Sequence, residues 1–224
     1  MCFAPYVSLS TFVIEFLLAI FFLLRNPKDK LNRIIALLSF LLGIYQLNEF
    51  LICITQLPVF TILAMSTTAI LPALAISYAL IAWRKKLRFY WYVLIYLPAI
   101  FFIVMFSVMN FYHISAQCMS VFIQYPDSGL IGRFFGSYYL IYIVGAVVLF
   151  HLSSDNAKNV HDKRISQLGM IGMFIFTIPT FIFLIYLPSL KIQFASVLCE
   201  FGLLLAIELI FLLEYKNKHK IKYN

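Results

Sequence analysis

Seven long apolar runs dominate this sequence, and only short connectors separate them. Each run has roughly 18 to 25 residues, which matches the ~30 Å hydrocarbon core of a bilayer at 1.5 Å per helical residue. Backbone groups in lipid must find hydrogen-bond partners within the chain, so such runs fold as helices. The sequence therefore predicts an all-α membrane protein, a bundle of seven transmembrane helices. The predicted spans are Val7 to Leu24, Ile34 to Thr55, Val59 to Trp83, Phe89 to Asn110, Phe134 to Leu152, Gln167 to Leu187 and Ile192 to Leu213.

The composition agrees with this class. Hydrophobic residues make up 63% of the chain and charged residues 12%, whereas soluble domains have about 25% charged residues. We expect one membrane domain at residues 1–215 and a basic cytoplasmic tail at residues 216–224. The net charge is +8, but the basic residues lie in short segments beside the apolar runs. Their expected partner is therefore the lipid bilayer and not nucleic acid.

The basic residues also alternate along the chain, and this alternation predicts the topology. The first, third and fifth connectors and the tail are basic, whereas the opposite side carries Arg133 and Lys191. By the positive-inside rule, the N-terminus is expected outside and the C-terminus in the cytoplasm. We expect a multi-pass protein of the bacterial inner (plasma) membrane. The basic positions are Arg25, Lys28, Lys30, Arg33, Arg84, Lys85, Lys86, Arg88, Lys158, Lys163, Arg164, Lys216, Lys218, Lys220 and Lys222.

Polar residues within the runs indicate a candidate ligand-binding site near the predicted outer face. Gln46, Glu49 and Cys53 share one face of the second run at i, i+3 and i+7 spacing. Glu15 in the first run and Glu200 near the start of the seventh fall at a similar depth. A charged side chain at the centre of a membrane helix costs roughly 2.5 to 3.5 kcal/mol, so it usually faces the bundle interior or a water-filled cavity. The alternative is that these carboxyl groups only bond neighbouring helices together.

The four cysteines all fall on the predicted outer side. Cys2, Cys118 and Cys199, together with His113, are candidate metal ligands, because thiolate and imidazole groups suit zinc or copper. The cysteines have two other readings: they pack as small apolar residues or form disulfides on the oxidising face. The sequence has no CxxC, HExxH or GxSxG motif, so known redox and hydrolase motifs give an enzyme no support.

Two parts of the sequence resemble known groups of membrane proteins. The start "MCFAPYVSLS", with "QLNE" at Gln46 to Glu49 and "SVLC" at Ser196 to Cys199, resembles uncharacterised small multi-pass proteins that begin Met-Cys-Phe-Ser-Ala. Ala4 stands where those proteins have serine.

The segment "LLRNPKDKLNRIIALLSFLLGIYQLNEF" resembles the first cytoplasmic connector and second helix of the seven-helix sensor region attached to bacterial histidine kinases. This resemblance implies an outer or intramembrane ligand pocket coupled to a cytoplasmic output. The chain ends in "EYKNKHKIKYN" and carries no kinase. We therefore expect the output to pass through a cytoplasmic signalling partner.

Taken together, these features predict an integral membrane receptor or sensor-like protein, without enzymatic activity, whose outward-facing polar site binds a small molecule or a metal ion. Two alternatives stay open. One is an intramembrane enzyme with Cys2 or Cys199 as the thiolate and His113 as the base. The other is a small transporter that couples protons or cations to its carboxylates. In that case Glu208, about two turns deeper than Glu200, would supply the inward step.

Overall fold

The computed structural model describes residues 4–85, 87–108, 117–118, 123–124, 129–186 and 201–223. These residues contain seven α-helices and one pair of two-residue strands. Five of the helices, α1 to α5, are long and apolar enough to cross a membrane by length and composition. The elements are α1 (Ala4–Arg25), α2 (Lys30–Thr55), α3 (Pro58–Ala82), α4 (Phe89–Val108), β1 (Gln117–Cys118), β2 (Ile123–Gln124), α5 (Gly129–Asp155), α6 (Val160–Tyr186) and α7 (Gly202–Lys218).

Several helices extend beyond the predicted spans at their polar ends. α2 begins at Lys30 and not at Ile34, because the Asp29 side chain caps it by accepting hydrogen bonds from the backbone N–H groups of Leu31 and Asn32 at 3.0 and 3.2 Å. α7 continues to Lys218, across the boundary that the sequence placed between residues 215 and 216. Residues 109–110 of the fourth predicted span and 187 and 192–200 of the sixth and seventh lie outside the described residues.

Consecutive helices pack side by side in the order α1, α2 and α3. α3 contacts both α4 and α5, and α5 contacts α6. α7 packs on α6 and also contacts α1 and α2. α4 is peripheral, because its buried residues are Ala99, Phe102 and Phe106 and the first half of the helix is largely exposed. The exposed side chains of α1, α4 and α5 are mostly large and apolar, as a lipid-facing surface requires.

Three connectors and the C-terminal tail meet at one end of the bundle, which we call the basic end. Arg84, which follows α3, donates to Asp162 near the start of α6 at 3.0 Å and to the carbonyl oxygen of Lys222 at 2.9 Å. The structure thus gathers the segments that the charge pattern assigned to one side. Which face of a membrane this end meets stays a prediction.

Tyr223 docks the tail against the ends of α2, α3 and α6. Its backbone N–H donates to Asp29 Oδ2 at 2.9 Å, and its hydroxyl donates to Asp162 Oδ1 at 3.3 Å. The Arg84 guanidinium lies over the ring, 4.2 Å from its centroid. Burial and the nearby charge of Asp162 raise the pKa of the Tyr223 hydroxyl above its ordinary value. Only 3% of Tyr223 is exposed, so the tail is part of the packed fold.

A buried ion pair joins α2 to α7 beside this tyrosine. Lys216 Nζ lies 2.7 Å from Asp29 Oδ1, and the exposed fractions of the two side chains are 0% and 2%. Lys216 also donates to the Asn32 side-chain oxygen. Asn32 in turn donates to the carbonyl oxygen of Phe22 at 3.1 Å, which brings α1 into the same network. Burial lowers the pKa of Lys216, whereas the hydrogen bond and charge of Asp29 act in the opposite direction.

We expect Lys216→Met to lower the free energy of unfolding by about 3 to 5 kcal/mol, because Asp29 would keep a buried charge without its counter-ion. The double variant Lys216→Met, Asp29→Asn should recover part of this loss, since no buried charge remains and asparagine also caps helices. The recovery should be incomplete, because the asparagine Nδ2 cannot accept the hydrogen bond that Tyr223 N–H donates to Asp29 Oδ2. Denaturant unfolding in detergent measures both values. Lys218→Met, at an exposed site, serves as the control and should change stability by about 0.5 kcal/mol or less. Equal losses in the single and double variants would contradict the role of the ion pair.

Candidate functional site

Glu15 lies in the middle of α1 and faces the interior where α1, α2 and α7 meet. Its exposed fraction is 0%. Two glycines leave room for it: a Cβ added at Gly202 would lie 3.0 Å from Glu15 Oε1, and one at Gly43 would lie 3.4 Å from Glu15 Cβ. Neither carboxyl oxygen has a hydrogen-bond partner among the residues that the structure describes. Because burying such a group unpaired is costly, Glu15 is a candidate for holding a proton or for pairing with a hydrogen-bond donor or a cation.

Gln46 and Glu49 lie one turn apart on α2, and each is 1% exposed. The Tyr45 hydroxyl donates to Glu49 Oε1 at 2.7 Å. Gly43, which contacts Glu15, is one turn before Gln46 on the same helix. The structure therefore brings three of the predicted ligand residues, Glu15, Gln46 and Glu49, to neighbouring levels of the interior.

The buried polar face of α2 is longer than this cluster. Asn32 and Ser39 are both 0% exposed and precede Gln46 at successive seven-residue intervals. This spacing places them on one face of the helix. The buried polar side chains of α2 therefore extend along the helix from the candidate site to the buried ion pair at the basic end.

Cys53 and Cys118 form a disulfide, with their Cα atoms 5.6 Å apart. It ties the end of α2 to β1, which pairs with β2 in antiparallel fashion. The sequence interpretation assigned Cys53 to the ligand site and Cys118 to a metal site. In a disulfide neither sulfur is the thiolate that zinc or copper binds. The structure therefore assigns this pair to a crosslink, which was one of the readings left open for the cysteines.

The other predicted site residues, Cys2, His113, Cys199 and Glu200, lie outside the described residues. Their participation, and zinc or copper as the bound metal, stay predictions. Within the described ranges, no group of three or more His, Cys, Asp and Glu side chains is arranged to hold a metal ion.

Glu208 is a second buried carboxyl, further along α7, with 6% exposure. It lies against α6, where a Cβ added at Gly172 would come within 3.0 Å of its Cδ. Tyr78 of α3 packs against α6 one turn before Gly172. A Cβ added at Gly169 would lie 3.0 Å from its hydroxyl oxygen. In the described part of the chain, neither the Glu208 oxygens nor the Tyr78 hydroxyl has a hydrogen-bond partner. Gly169 and Gly172 lie one turn apart on α6, and the absence of side chains there leaves room for the Tyr78 hydroxyl and the Glu208 carboxyl.

Tyr78 also borders a small apolar cavity between α2, α3, α5, α6 and α7. Its volume is about 20 Å³, which is enough for about one water molecule. An organic ligand would not fit there without a change in packing. The lining residues are Leu38, Leu42, Leu71, Ala75, Tyr78, Tyr139, Ile143, Met173, Phe176, Leu205 and Leu209.

We expect Gly172→Ala to lower the free energy of unfolding by about 1 to 3 kcal/mol, because the added methyl group collides with the Glu208 carboxyl. In a Glu208→Ala background the same change should cost less, since only Leu205 Cδ1, 3.1 Å from the added Cβ, then remains close. Thermal unfolding of the four proteins in this double-mutant cycle measures the coupling.

Gly136→Ala is the matched control for this cycle, because a Cβ at Gly136 would meet nothing within 4 Å. It should be neutral or stabilising by up to about 1 kcal/mol through helix propensity. Additive effects of Gly172→Ala and Glu208→Ala would contradict the contact between α6 and the Glu208 carboxyl.

No protein family, curated protein or solved structure matches the chain.

Proposed function

We propose that this protein is an integral membrane receptor or sensor-like protein that binds a small molecule or a metal ion between α1, α2 and α7. The observation that supports this most strongly is Glu15, a fully buried carboxyl whose oxygens have no hydrogen-bond partner among the described residues. A metal ion or a protonated amine would supply the missing positive charge or donors. Gln46 and Glu49 of α2 lie at the neighbouring levels and would complete the binding site.

The site is proposed to face outward in a bacterial plasma membrane, with the basic end in the cytoplasm. The connector charges support this orientation. The disulfide between Cys53 and Cys118 is consistent with it, because such bonds persist on an oxidising side.

Two helices link the proposed site to the basic end. α2 carries Gly43 beside Glu15 and, at its cap, Asp29; α7 carries Gly202 beside Glu15 and, in its last turn, Lys216. A ligand that changes the packing of α2 against α7 therefore acts on the two helices that the buried ion pair joins. In this proposal a cytoplasmic partner reads the resulting displacement of the docked tail.

Native mass spectrometry and elemental analysis of the full chain, solubilised gently from its membrane, test this function. We expect one bound small molecule or metal ion per chain. Glu15→Gln should weaken its binding by about tenfold or more, because a hydrogen bond to a charged group contributes about 1.5 to 3 kcal/mol. Glu214→Gln, at an exposed position of α7, is the matched control and should retain the bound species. A protein that is empty, or a bound species equally retained by Glu15→Gln, would refute the proposal.

A proton- or cation-coupled transporter is the second candidate, and Glu208 supports it specifically. A transport path must continue inward beyond Glu15, and Glu208 is a second buried carboxyl without a described partner. Tyr78 and Ser39 add buried hydroxyl groups between the bundle ends, likewise without a described partner. The enzyme alternative relies on Cys2, Cys199 and His113, and no described contact favours it.

Proton flux into proteoliposomes distinguishes the two candidates. If the protein conducts protons, a potassium gradient with valinomycin should drive acidification, and Glu208→Gln should reduce it to the rate of empty vesicles. Glu214→Gln should conduct like the wild-type chain. Flux that is absent, or unchanged by Glu208→Gln, would exclude proton conduction through this carboxyl.

A further inference from the structure

A groove of about 620 Å³ opens at the basic end. Three separate segments bring cations to it: Lys30 from the start of α2, Arg84 and Lys85 from the connector after α3, and Lys222 from the tail. The groove exists only because the tail is docked, since Lys222 and Tyr223 form one of its walls.

Ion pairing differs among the cations of this groove. Within the described part of the chain, no carboxylate forms an ion pair with Lys30, Lys85 or Lys222. Arg84 differs, because Asp162 pairs with it at 3.0 Å. Lys85 Nζ lies 4.6 Å from the centroid of the Trp83 ring, a contact that leaves its charge without an anion. Three cations without a described carboxylate around one concave surface favour an anion with several acceptor oxygens, and a phosphate group has this chemistry.

The remaining wall is apolar and comes from the ends of α3 and α4. Ile81, Leu87 and Tyr92 form it. The first half of α4 lies beside this wall and is largely exposed. The buried residues of α4 are Ala99, Phe102 and Phe106, all in its second half. The groove therefore combines a cationic end with an apolar side that continues onto the proposed lipid-facing surface.

Exposed aromatic side chains beside the groove indicate the level at which it would lie in a bilayer. Phe89, Tyr90 and Trp91 begin α4, immediately before Tyr92, and all three are exposed. Tyrosine and tryptophan on a membrane protein concentrate at the level of the lipid headgroups. A ligand in the groove would thus lie where lipid phosphates are most concentrated.

We propose that this groove binds the phosphate of an anionic lipid headgroup, with Lys30, Lys85 and Lys222 as its contacts. The lipid's acyl chains would lie along the apolar side, beside the first half of α4. A bound phosphate would also bridge Lys222 of the tail to Lys30 and Lys85, and so hold the tail in its docked position. This inference is independent of the ligand proposed for the opposite part of the bundle.

Native mass spectrometry of the full chain, ejected from nanodiscs of equimolar phosphatidylcholine and phosphatidylglycerol, tests the proposal. The wild-type chain should retain phosphatidylglycerol in preference to phosphatidylcholine. The variant Lys30→Gln, Lys85→Gln, Lys222→Gln should lose this preference, by about fivefold for each lysine. The matched control is Lys28→Gln, Lys163→Gln, Lys218→Gln, which removes the same charge at exposed sites outside the groove lining. It should change the preference less than the groove variant does, because its lysines lie outside the groove lining.

A variant with arginine at the same three positions controls for misfolding. Lys30→Arg, Lys85→Arg, Lys222→Arg should keep the preference, because arginine also binds phosphate. No preference in the wild-type chain, equal losses in the groove and control variants, or a loss in the arginine variant would each overturn the proposal.

A second arm separates lipid from soluble phosphate. Inorganic phosphate and glycerophosphate are titrated into pure phosphatidylcholine nanodiscs, and binding is followed by thermal shift. The lipid assignment predicts no saturable shift. A saturable shift that the groove variant abolishes would overturn it in favour of a soluble phosphate compound.

Discussion

The buried contact between Asp29 and Lys216 holds the two ends of the chain together. One carboxylate caps α2, pairs with Lys216 of α7 and accepts a hydrogen bond from the Tyr223 backbone. The lysine also reaches Asn32, which bonds to the end of α1. These contacts therefore join three helices and the tail in one hydrogen-bond network. Removal of one charged member alone is therefore destabilising, since a buried charge without its counter-ion costs several kcal/mol.

Glycine and glutamate form complementary pairs elsewhere in the bundle. Gly43 and Gly202 make the space that Glu15 occupies, and Gly172 makes the space beside Glu208. A methyl group at Gly202 or Gly172 would force the adjacent carboxyl group to shift. Close helix packing and the burial of acidic side chains are thus consequences of the same small residues. The proposed receptor and the alternative transporter both depend on this packing.

Much of the fold followed from hydropathy and charge, because both are local properties of the chain. The long apolar runs gave helix positions close to those observed for α1 to α5, and the basic connectors do meet at one end. Helix ends were less accurate, because Asp29 caps α2 through side-chain bonds that hydropathy does not report. The inward orientation of Glu15, Gln46 and Glu49 was also predictable, from the cost of a polar group in lipid. The pairing of Cys53 with Cys118 and of Asp29 with Lys216 was not, since each joins positions distant in sequence.

The docked tail also has a consequence for biogenesis. The hydrogen bond between Tyr223 and Asp29 spans 194 positions of the chain. During synthesis α1 and α2 emerge before α7, so Asp29 cannot contact Lys216 or Tyr223 while the intervening helices are made. The contacts of Asp29 with Lys216 and Tyr223 therefore form only after these two residues have been synthesised.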